Sequence, residues 1–543
     1  MYRIYQLKLP IGHSEEALRN GAAKYLGIKP ENITGFSVFR RSVDARDKND
    51  VFFVYAVDVK INCKLKKKFK ANEVGEVKPY RYSLPEQGTE SLSYFPVVIG
   101  AGPAGLFCAY ILAMAGYRPL LFERGKSVDE RQEDVDCFLK DGILNPNSNV
   151  LFGEGGAGTF SDGKLNTLIK DKDGYGRFVL ETFVKNGAKE EILYDAKPHI
   201  GTDVLKNVVK GMREEIIALG GKVSFKSRLS GFTADTELRS ISLEFLDDDG
   251  KVISTQNISA DVCVLATGHS ARDTFEMLYD NNVEMQPKPF AIGLRAVHPQ
   301  DMINKSQYGA YADKLPAASY KLTHTTKSGR GVYSFCMCPG GYVINSSSEP
   351  DGVVVNGMSY SERNGKYANS AIICNVTPED YEKEGCGTDP LSGVRFQRKF
   401  EKLAYKAGNG KVPVSSLGKF SGPCDDERAY TSLSDKVMGE CERVDLRSCL
   451  PEFVSESISE AFAAYDKKIQ GFGNSDTLLC GIETRTSSPV KILRDGDFFA
   501  SVKGIIPAGE GPGYAGGIMS AAIDGIKAAE HIIKKYSRYY PER

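Results

Sequence analysis

Residues 95–123 read FPVVIGAGPAGLFCAYILAMAGYRPLLFE, and this stretch decides the fold. A short apolar run, Val97, Val98 and Ile99, leads into Gly100-x-Gly102-x-x-Gly105. Helical apolar spacing follows from Leu106 to about Ala115. A second apolar run, from Pro119 to Phe122, ends on Glu123. Strand, glycine turn, helix, strand and carboxylate stand here in the order that a dinucleotide requires. Gly100 permits the tight turn, Gly102 lets the backbone approach a pyrophosphate, and Gly105 lets the helix pack close to the strand. Pro103 and Ala104 open the helix, whose free N–H groups and positive dipole end face the phosphates. Glu123 is placed to accept from two ribose hydroxyls, and a carboxylate there repels a 2′-phosphate, which disfavours NADP.

Glycine spacing alone does not carry this reading. Gly153-x-Gly155-x-x-Gly158 and Gly511-x-Gly513-x-x-Gly516 match the same pattern. The first runs on into TFSDGKLNT, which does not start a helix, and the second lacks a following strand and acid. Only the first match, with its flanks, reads as a βαβ phosphate site.

At 543 residues, 41% of them hydrophobic, the chain has room for two or three domains with real cores. Net charge is zero but unevenly spread: residues 1–85 hold 17 Lys/Arg against 9 Asp/Glu, leaving the remainder acidic. A small basic domain docked on a larger acidic one explains this, and an acidic partner is the alternative. No run of 18 apolar residues predicts a membrane span. The N-terminus has neither a signal-peptide core nor the look of a transit peptide. The twelve scattered cysteines therefore read as reduced thiols in a cytoplasm.

The expected fold class is α/β: a discontinuous Rossmann-like domain, an inserted α+β domain and a small N-terminal α+β domain. Residues 1–90 form the small basic unit plus a linker that begins with CKLKKKFK. Residues 91–287 and 479–543 form the nucleotide-binding domain, with a helix over 201–220 and an Asp-Gly hairpin turn at 249–250. Residues 288–478 form the inserted domain. Near the end, GIIPAGEGPGYAGGIMSAAIDGIKAAEHIIKK reads as strand, glycine loop and long helix.

Four further segments favour FAD over NAD. ERGKSVDER (123–131) sets Arg124 and Arg131 within reach of phosphate. VLFGEGGAGTFSDGKLNT (150–167) is a glycine-rich loop, with Gly155, Gly156, Ala157 and Gly158 able to lie against a flat ring and Ser161, Asp162 and Lys164 beyond them. VCVLATGHS ends a strand on Thr267-Gly268. IIPAGEGPG places Gly509 and Glu510 at a strand end, and Gly516, Gly517 and Ile518 open a helix whose N–H groups can stabilise negative charge at the flavin N1/O2 edge.

This set resembles the two-dinucleotide-binding-domain flavoproteins of the glutathione-reductase type. More narrowly, the chain resembles the bacterial FAD-dependent dehydrogenase family. KPFAIGLR, SFCMCPGGYV, NGMSYSER, ANSAI and ETRTSSPV also look like that family, and the resemblance covers about residues 30–540. It implies FAD bound through Gly100, Gly102, Gly105, Glu123, Arg131, the 153–164 loop, Thr267, Gly268 and Glu510, with a substrate domain inserted in the second half. Two departures stand out: Glu510 occupies a position where the family has Asp, and the acid expected near Val297 is missing.

Only one dinucleotide fingerprint is found, so NAD(P)H is at most a transient electron donor. The inserted domain should face the isoalloxazine, with Arg295, Cys336, Cys338, Glu483, Arg485 and the 486–489 segment as its lining. Arg485 suits bidentate binding of a substrate carboxylate, or an internal ion pair between domains; Arg295 could bind an anion or cross-link its sheet. Cys336-x-Cys338 on a strand puts both thiols on one face; a thiol pair facing the flavin, or half a metal site, is one reading, and two small buried apolar residues is the preferred one. No His or second Cys pair completes a metal site. His269 has a flavin contact and a plain turn as equal readings.

The resulting expectation is an FAD-dependent oxidoreductase, a dehydrogenase or reductase, that passes a hydride between flavin N5 and a small organic substrate. The alternative is a flavin-binding RNA- or protein-interaction factor that uses residues 1–85, although the lysine run 64–70 reads first as a solvated linker. Halogenase or hydroxylase chemistry is disfavoured because a chain without tryptophan can carry no Trp-based motif. Substrate, catalytic residue and oligomeric state are not legible.

Overall fold

The strand Val97–Ile99 sits at the centre of a five-stranded sheet whose other members are Leu120–Phe122, Lys222–Ser224, Cys263–Leu265 and Ile505–Pro507. All are parallel. The chain runs first to one side of the central strand and later returns to its other side, where Cys263–Leu265 pairs with it. A crevice therefore opens between their carboxyl ends, where doubly wound sheets bind ligands. Both inner strands are buried along their length, which is why they read as unbroken apolar runs. The computed structural model describes residues 1–78, 81–167 and 169–540. Residues 79–80 of the expected linker and 541–543 of the C-terminal segment lie outside them.

Helix Pro103–Met114 is apolar all round because it is covered all round. It packs on the C-terminal helix Ile518–Lys535, and both approaches are backbone-close. A Cβ on Gly105 would lie 1.8 Å from the Gly100 carbonyl oxygen, and one on Gly525 would lie 2.0 Å from that of Ala104. A three-stranded antiparallel sheet, Ser227–Ala234, Leu238–Leu246 and Val252–Ser259, is attached to this domain, with the expected Asp-Gly turn in its second hairpin.

The inserted domain is built on a seven-stranded sheet in the spatial order Thr323–Thr325, Gly331–Cys338, Tyr367–Val376, Phe290–Pro299, Leu478–Glu483, Val412–Ser416 and Cys441–Arg443. Helices Ser392–Ala407 and Glu452–Asp466 bury Phe396, Phe400, Ile458 and Phe462 against it. The boundary expected at residue 479 shifts here. Leu478–Glu483 pairs with Phe290–Pro299 and Val412–Ser416, so the chain leaves the insertion only after Glu483. The exit then pairs with the entry, as Val490–Ile492 runs antiparallel to Met285–Pro287.

The N-terminal unit forms as the sequence predicts. Helix Glu15–Leu26 is capped by the Ser14 hydroxyl, which accepts from the Ala17 N–H, and by Gly27. Strands Tyr2–Pro10, Ile33–Asp44 and Phe52–Ile61 carry it. The linker is more ordered than expected, because Val74–Glu76 adds a fourth strand and Gly88 donates to the Ile533 carbonyl. The unit docks through Arg41, whose backbone exchanges hydrogen bonds with Tyr194 and Ala196 and whose side chain pairs with Asp195 at 2.7 Å. Among the described residues, no helix is long and apolar enough to cross a membrane.

The Gly105 contact predicts that Gly105→Ala destabilises the chain by about 1–3 kcal/mol or more through overpacking. Exposed Gly496, where a Cβ meets nothing within 4 Å, should accept alanine nearly neutrally. Urea unfolding of both variants checks this.

Candidate functional site

One large cavity follows the sheet's carboxyl edge, from Glu123 past the glycine turn to the wall of the inserted domain. Gly100, Gly102, Pro103 and Ala104 line its middle, beneath the helix N-terminus. The loop 153–158 folds back over this turn: the Gly155 N–H donates to the Ala101 carbonyl at 2.8 Å, and Gly156, Ala157 and Gly158 face the cavity. Gly105 and Gly155 stand behind the surface rather than on it. Ser161 and Lys164 lie farther along the same loop, on the cavity wall.

Glu123 lines the outer end. Its Oε2 accepts from the Ala101 N–H at 2.7 Å, and its Oε1 from the N–H groups of Gly125 and Gly153 at 2.9 and 3.1 Å. The carboxylate is thus locked in place by the turn it serves and keeps lone-pair capacity for a ligand. Arg124 lines the cavity beside it, paired with Asp273 and set over the Phe152 ring.

Arg131 does not line the cavity. It is fully buried, and its guanidinium donates to the carbonyls of Asn149, Val150 and Glu154 at 2.7–2.9 Å. It shapes the loop from behind, with its side chain passing where a Cβ on Gly153 would be only 2.4 Å away.

Thr267, Gly268 and His269 come from the end of the strand Cys263–Leu265, and Glu510 from the end of Ile505–Pro507. Gly509 lies just behind, donating to Asp524 at 2.8 Å. Gly517 and Ile518 present the second helix N-terminus, with Gly517 in a positive-φ conformation. His269 Nε2 is 3.5 Å from Glu510 Oε1. Burial, then the nearby Arg485 and Arg272 cations, push His269 down to about 3, so this imidazole is neutral. Burial pushes Glu510 up to about 7, against a hydrogen bond from the Gly517 N–H and the charge of Lys288.

The inserted-domain wall contributes Phe335, Cys336, Asn356, Glu483, Arg485 and Thr486. Arg295, expected on the substrate side, is not in it. All five of its N–H donors are taken: two by Glu483 at 2.5 and 3.0 Å, the others by Cys336 O, Asn369 Oδ1 and Asn356 Oδ1 at 2.9 Å. It cross-links the sheet and holds Glu483 from behind, while burial pushes Glu483 up to about 7 against that guanidinium.

Arg485 lines the cavity but is spoken for. It pairs with Glu401 through Nε at 3.1 Å and Nη2 at 2.9 Å, and it donates to Ser348. Arg272, from the nucleotide-binding domain, grips the same carboxylate at 2.7 and 2.9 Å. Burial would raise Glu401, but the two guanidiniums hold it well below the usual carboxylate range. This is the ion pair between domains that the sequence allowed for Arg485.

Cys336 and Cys338 overturn the reading as two small apolar residues. Cys336 lines the cavity, and Lys164 Nζ stands 3.8 and 3.7 Å from the two sulfurs. Lys164, expected against the cofactor, also pairs with Asp162 at 3.0 Å. Among the described residues, no group of three His, Cys, Asp or Glu side chains could hold a metal ion. Phe152, Phe335 and Asn356 were not singled out from sequence. For Asn356 the signal was the polar residue inside GVVVNGMSY.

The cavity's residues fit FAD. Cβ positions on Gly268, Gly516 and Gly517 meet nothing within 4 Å, and on Gly102 only the Gly156 Cα at 4.0 Å, so backbone lies open to a ligand there. Two helix N-termini face the cavity. The buried Nδ1 of His269 has no hydrogen-bond partner among the described residues.

Residues 289–486 match a family described as FAD-dependent protein, C-terminal domain-like, and residues 98–128 match an NAD(P)-binding Rossmann-like domain. Residues 1–60 match a domain of unknown function. An uncharacterized protein of Clostridium beijerinckii is 45% identical over 553 residues, covering 98% of this chain and 99% of the relative. The chain belongs to this FAD-dependent protein family. It is a Rossmann-fold flavoprotein of the oxidoreductase type.

Among solved structures, glycerol-3-phosphate dehydrogenase from Bacillus halodurans in complex with FAD is 11% identical with a TM-score of 0.36, over 82% of this chain and 64% of that one. The present chain thus spans less than two thirds of it. A geranylgeranyl bacteriochlorophyll reductase-like protein from Thermoplasma acidophilum is 12% identical with a TM-score of 0.35, over 82% and 78%.

Two predictions follow from the buried charges of this family member. Glu401→Ala strands two buried guanidiniums and should cost about 3–5 kcal/mol in denaturant unfolding. Glu510 is raised above its ordinary 4.5 in the folded state, so its contribution to stability is full below 4.5 and lost as pH rises through about 7. Glu510→Gln should therefore melt like the parent at pH 4 and at a higher temperature above pH 7, measured on flavin-free protein.

Proposed function

We propose that this chain is an FAD-dependent dehydrogenase or reductase acting on a small organic molecule held between the nucleotide-binding and inserted domains. The observation that carries the reading is the continuity of the cavity. A single space runs from the Glu123 carboxylate, past two helix N-termini, to polar side chains of the insertion. FAD, when bound, would supply a hydride-accepting and hydride-donating centre at N5.

The chain's own groups divide the remaining work. Glu123 binds the ribose hydroxyls, and its charge selects against a phosphorylated ribose. The N–H groups at the start of Pro103–Met114 bind the pyrophosphate. The 156–158 backbone and the start of Ile518–Lys535 hold the ring system, the latter favouring negative charge near it. The insertion closes the inner end and excludes water, and its Asn356, Glu483 and Thr486 orient the substrate. Glu510, titrating near neutrality, holds or releases a proton at that end. NADH would act as a transient donor at the same inner end, because the chain offers one dinucleotide fingerprint. The assignment to the glutathione-reductase type of flavoprotein, and a cytoplasmic location, belong to this proposal.

The visible spectrum of the purified protein, followed by anaerobic titration with NADH and NADPH, tests it. Oxidised-flavin bands that bleach with NADH support a reductase, and bands that bleach only with an organic substrate support a dehydrogenase. No bands after added FAD would sink the reading. Glu123→Ala should weaken FAD binding by roughly 1.5–3 kcal/mol, read by flavin fluorescence titration.

A second reading has one observation in its favour. Lys64, Lys66, Lys67, Lys68 and Lys70 are all exposed and form no ion pair among the described residues, and Lys67 lies over the Phe69 ring at 4.9 Å. Residues 1–85 would then contact an acidic partner such as single-stranded RNA. Binding that weakens steeply with salt supports this, whereas no binding at low ionic strength removes it.

A further inference from the structure

The strand Gly331–Cys338 pairs regularly with Tyr367–Val376 as far as Phe335, opposite Ala371, and then slips before resuming at Cys338, opposite Asn369. Within the slip, Cys336 adopts a φ of +42°, a conformation that side-chain-bearing residues seldom take. A bulge of this kind re-aims a side chain. Here it turns Cys336 onto the cavity, half-buried, while Cys338 stays buried behind it.

The two sulfurs share one cation, as Lys164 Nζ lies 3.8 Å from Cys336 Sγ and 3.7 Å from Cys338 Sγ. Arg295 Nη1 is 3.9 Å from Cys338 Sγ. The adjacent Cys338 thiol, which donates to the Cys336 carbonyl at 3.2 Å, and the Lys164 and Arg295 charges pull Cys336 well below the ordinary thiol range despite burial, whereas burial pushes Cys338 well above it. The accessible sulfur is thus the nucleophilic one, and its neighbour keeps its proton. The helix after the glycine turn carries only Cys108, which is sealed in the core.

We propose that Cys336 and Cys338 form a redox-active dithiol on the inserted-domain wall that exchanges with a disulfide substrate small enough to enter the cavity. This deepens the oxidoreductase reading and rests on it. The Cys336 thiolate attacks one sulfur of the substrate disulfide; a Cys336–substrate bond forms, the substrate S–S bond breaks, and the departing thiolate takes a proton from solvent. Cys338 then loses its proton and attacks Cys336 Sγ, which closes the protein disulfide and releases the second substrate thiol. Return of the protein disulfide to the dithiol takes two electrons and two protons; bound reduced flavin would supply them, recharged by a hydride donor that brings the electron pair and one proton while solvent brings the other. The net change is one disulfide and two hydrogens to two thiols.

The test uses the holoprotein and bis(2-hydroxyethyl) disulfide as probe. Trypsin releases Gly331–Arg363, which contains both cysteines and no others. After treatment, this peptide should be lighter by two hydrogens in the parent protein. In Cys338→Ser it should carry one mercaptoethanol adduct on Cys336, and in Cys336→Ser it should be unchanged. Lys164→Gln should slow adduct formation at neutral pH and shift its pH profile upward. Anaerobic dithionite titration of the probe-oxidised protein should consume four electrons per flavin in the parent and two in Cys336→Ser. A parent peptide that keeps both thiols free, with two electrons per flavin, overturns the dithiol while leaving the oxidoreductase reading intact. Protein that binds no flavin removes that reading, and the peptide mass still decides the thiol chemistry without any variant.

Discussion

The Glu401 carboxylate, buried between the guanidiniums of Arg272 and Arg485, joins three stretches that are remote in sequence. Arg272 begins a helix of the nucleotide-binding domain, Glu401 belongs to a helix of the insertion, and Arg485 follows the last strand before the chain returns. Burying three charges is costly, and the cost is offset only when nearly every donor and lone pair is used. Most are used here: Thr484 donates to Glu401 at 2.6 Å, and Gln397 accepts from Arg272 while donating to the Thr484 carbonyl, which leaves the buried Arg272 Nε without a partner among the described residues. The insertion's position over the sheet edge is therefore set by directional bonds rather than by apolar contact alone. The cavity inherits its shape from them.

The inner end of that cavity is electrically unlike its middle. Two helix N-termini make the middle electropositive, whereas Glu483, Glu510, Cys336 and Lys164 line the inner end. Burial raises both carboxyls while neighbouring charges pull against it. Groups arranged this way exchange protons as a set, so the pH response of any one of them reports on its neighbours.

What the sequence makes legible is what local backbone constraints dictate. The glycine turn, its helix and Glu123 follow from sterics within thirty residues, and the N-terminal helix follows from Ser14 and Gly27. The register of Leu478–Glu483 was not legible, because an apolar run reads alike in either of two sheets. Arg131 and Arg295 show the same limit for side chains: sequence reveals an arginine near a nucleotide motif, but not the carbonyls and carboxylate that occupy its donors. Cys336 was expected on the cavity wall, but its parting from Cys338 was not legible, since strand periodicity assumes an unbroken ladder and the bulge breaks it there. Lys164 lies on the cavity wall in the expected loop, but its contacts with the two sulfurs and with Asp162 were not legible.

Entry and exit of the insertion are adjacent. Pro287 lies opposite Val490 in a two-stranded ribbon, and the Lys288 N–H donates to the Pro489 carbonyl at 2.8 Å. Some two hundred residues thus hang from a clasp whose ends already touch. The insertion can therefore lengthen or shorten between two fixed ends without pulling on the parallel sheet, provided that it keeps a carboxylate for Arg272.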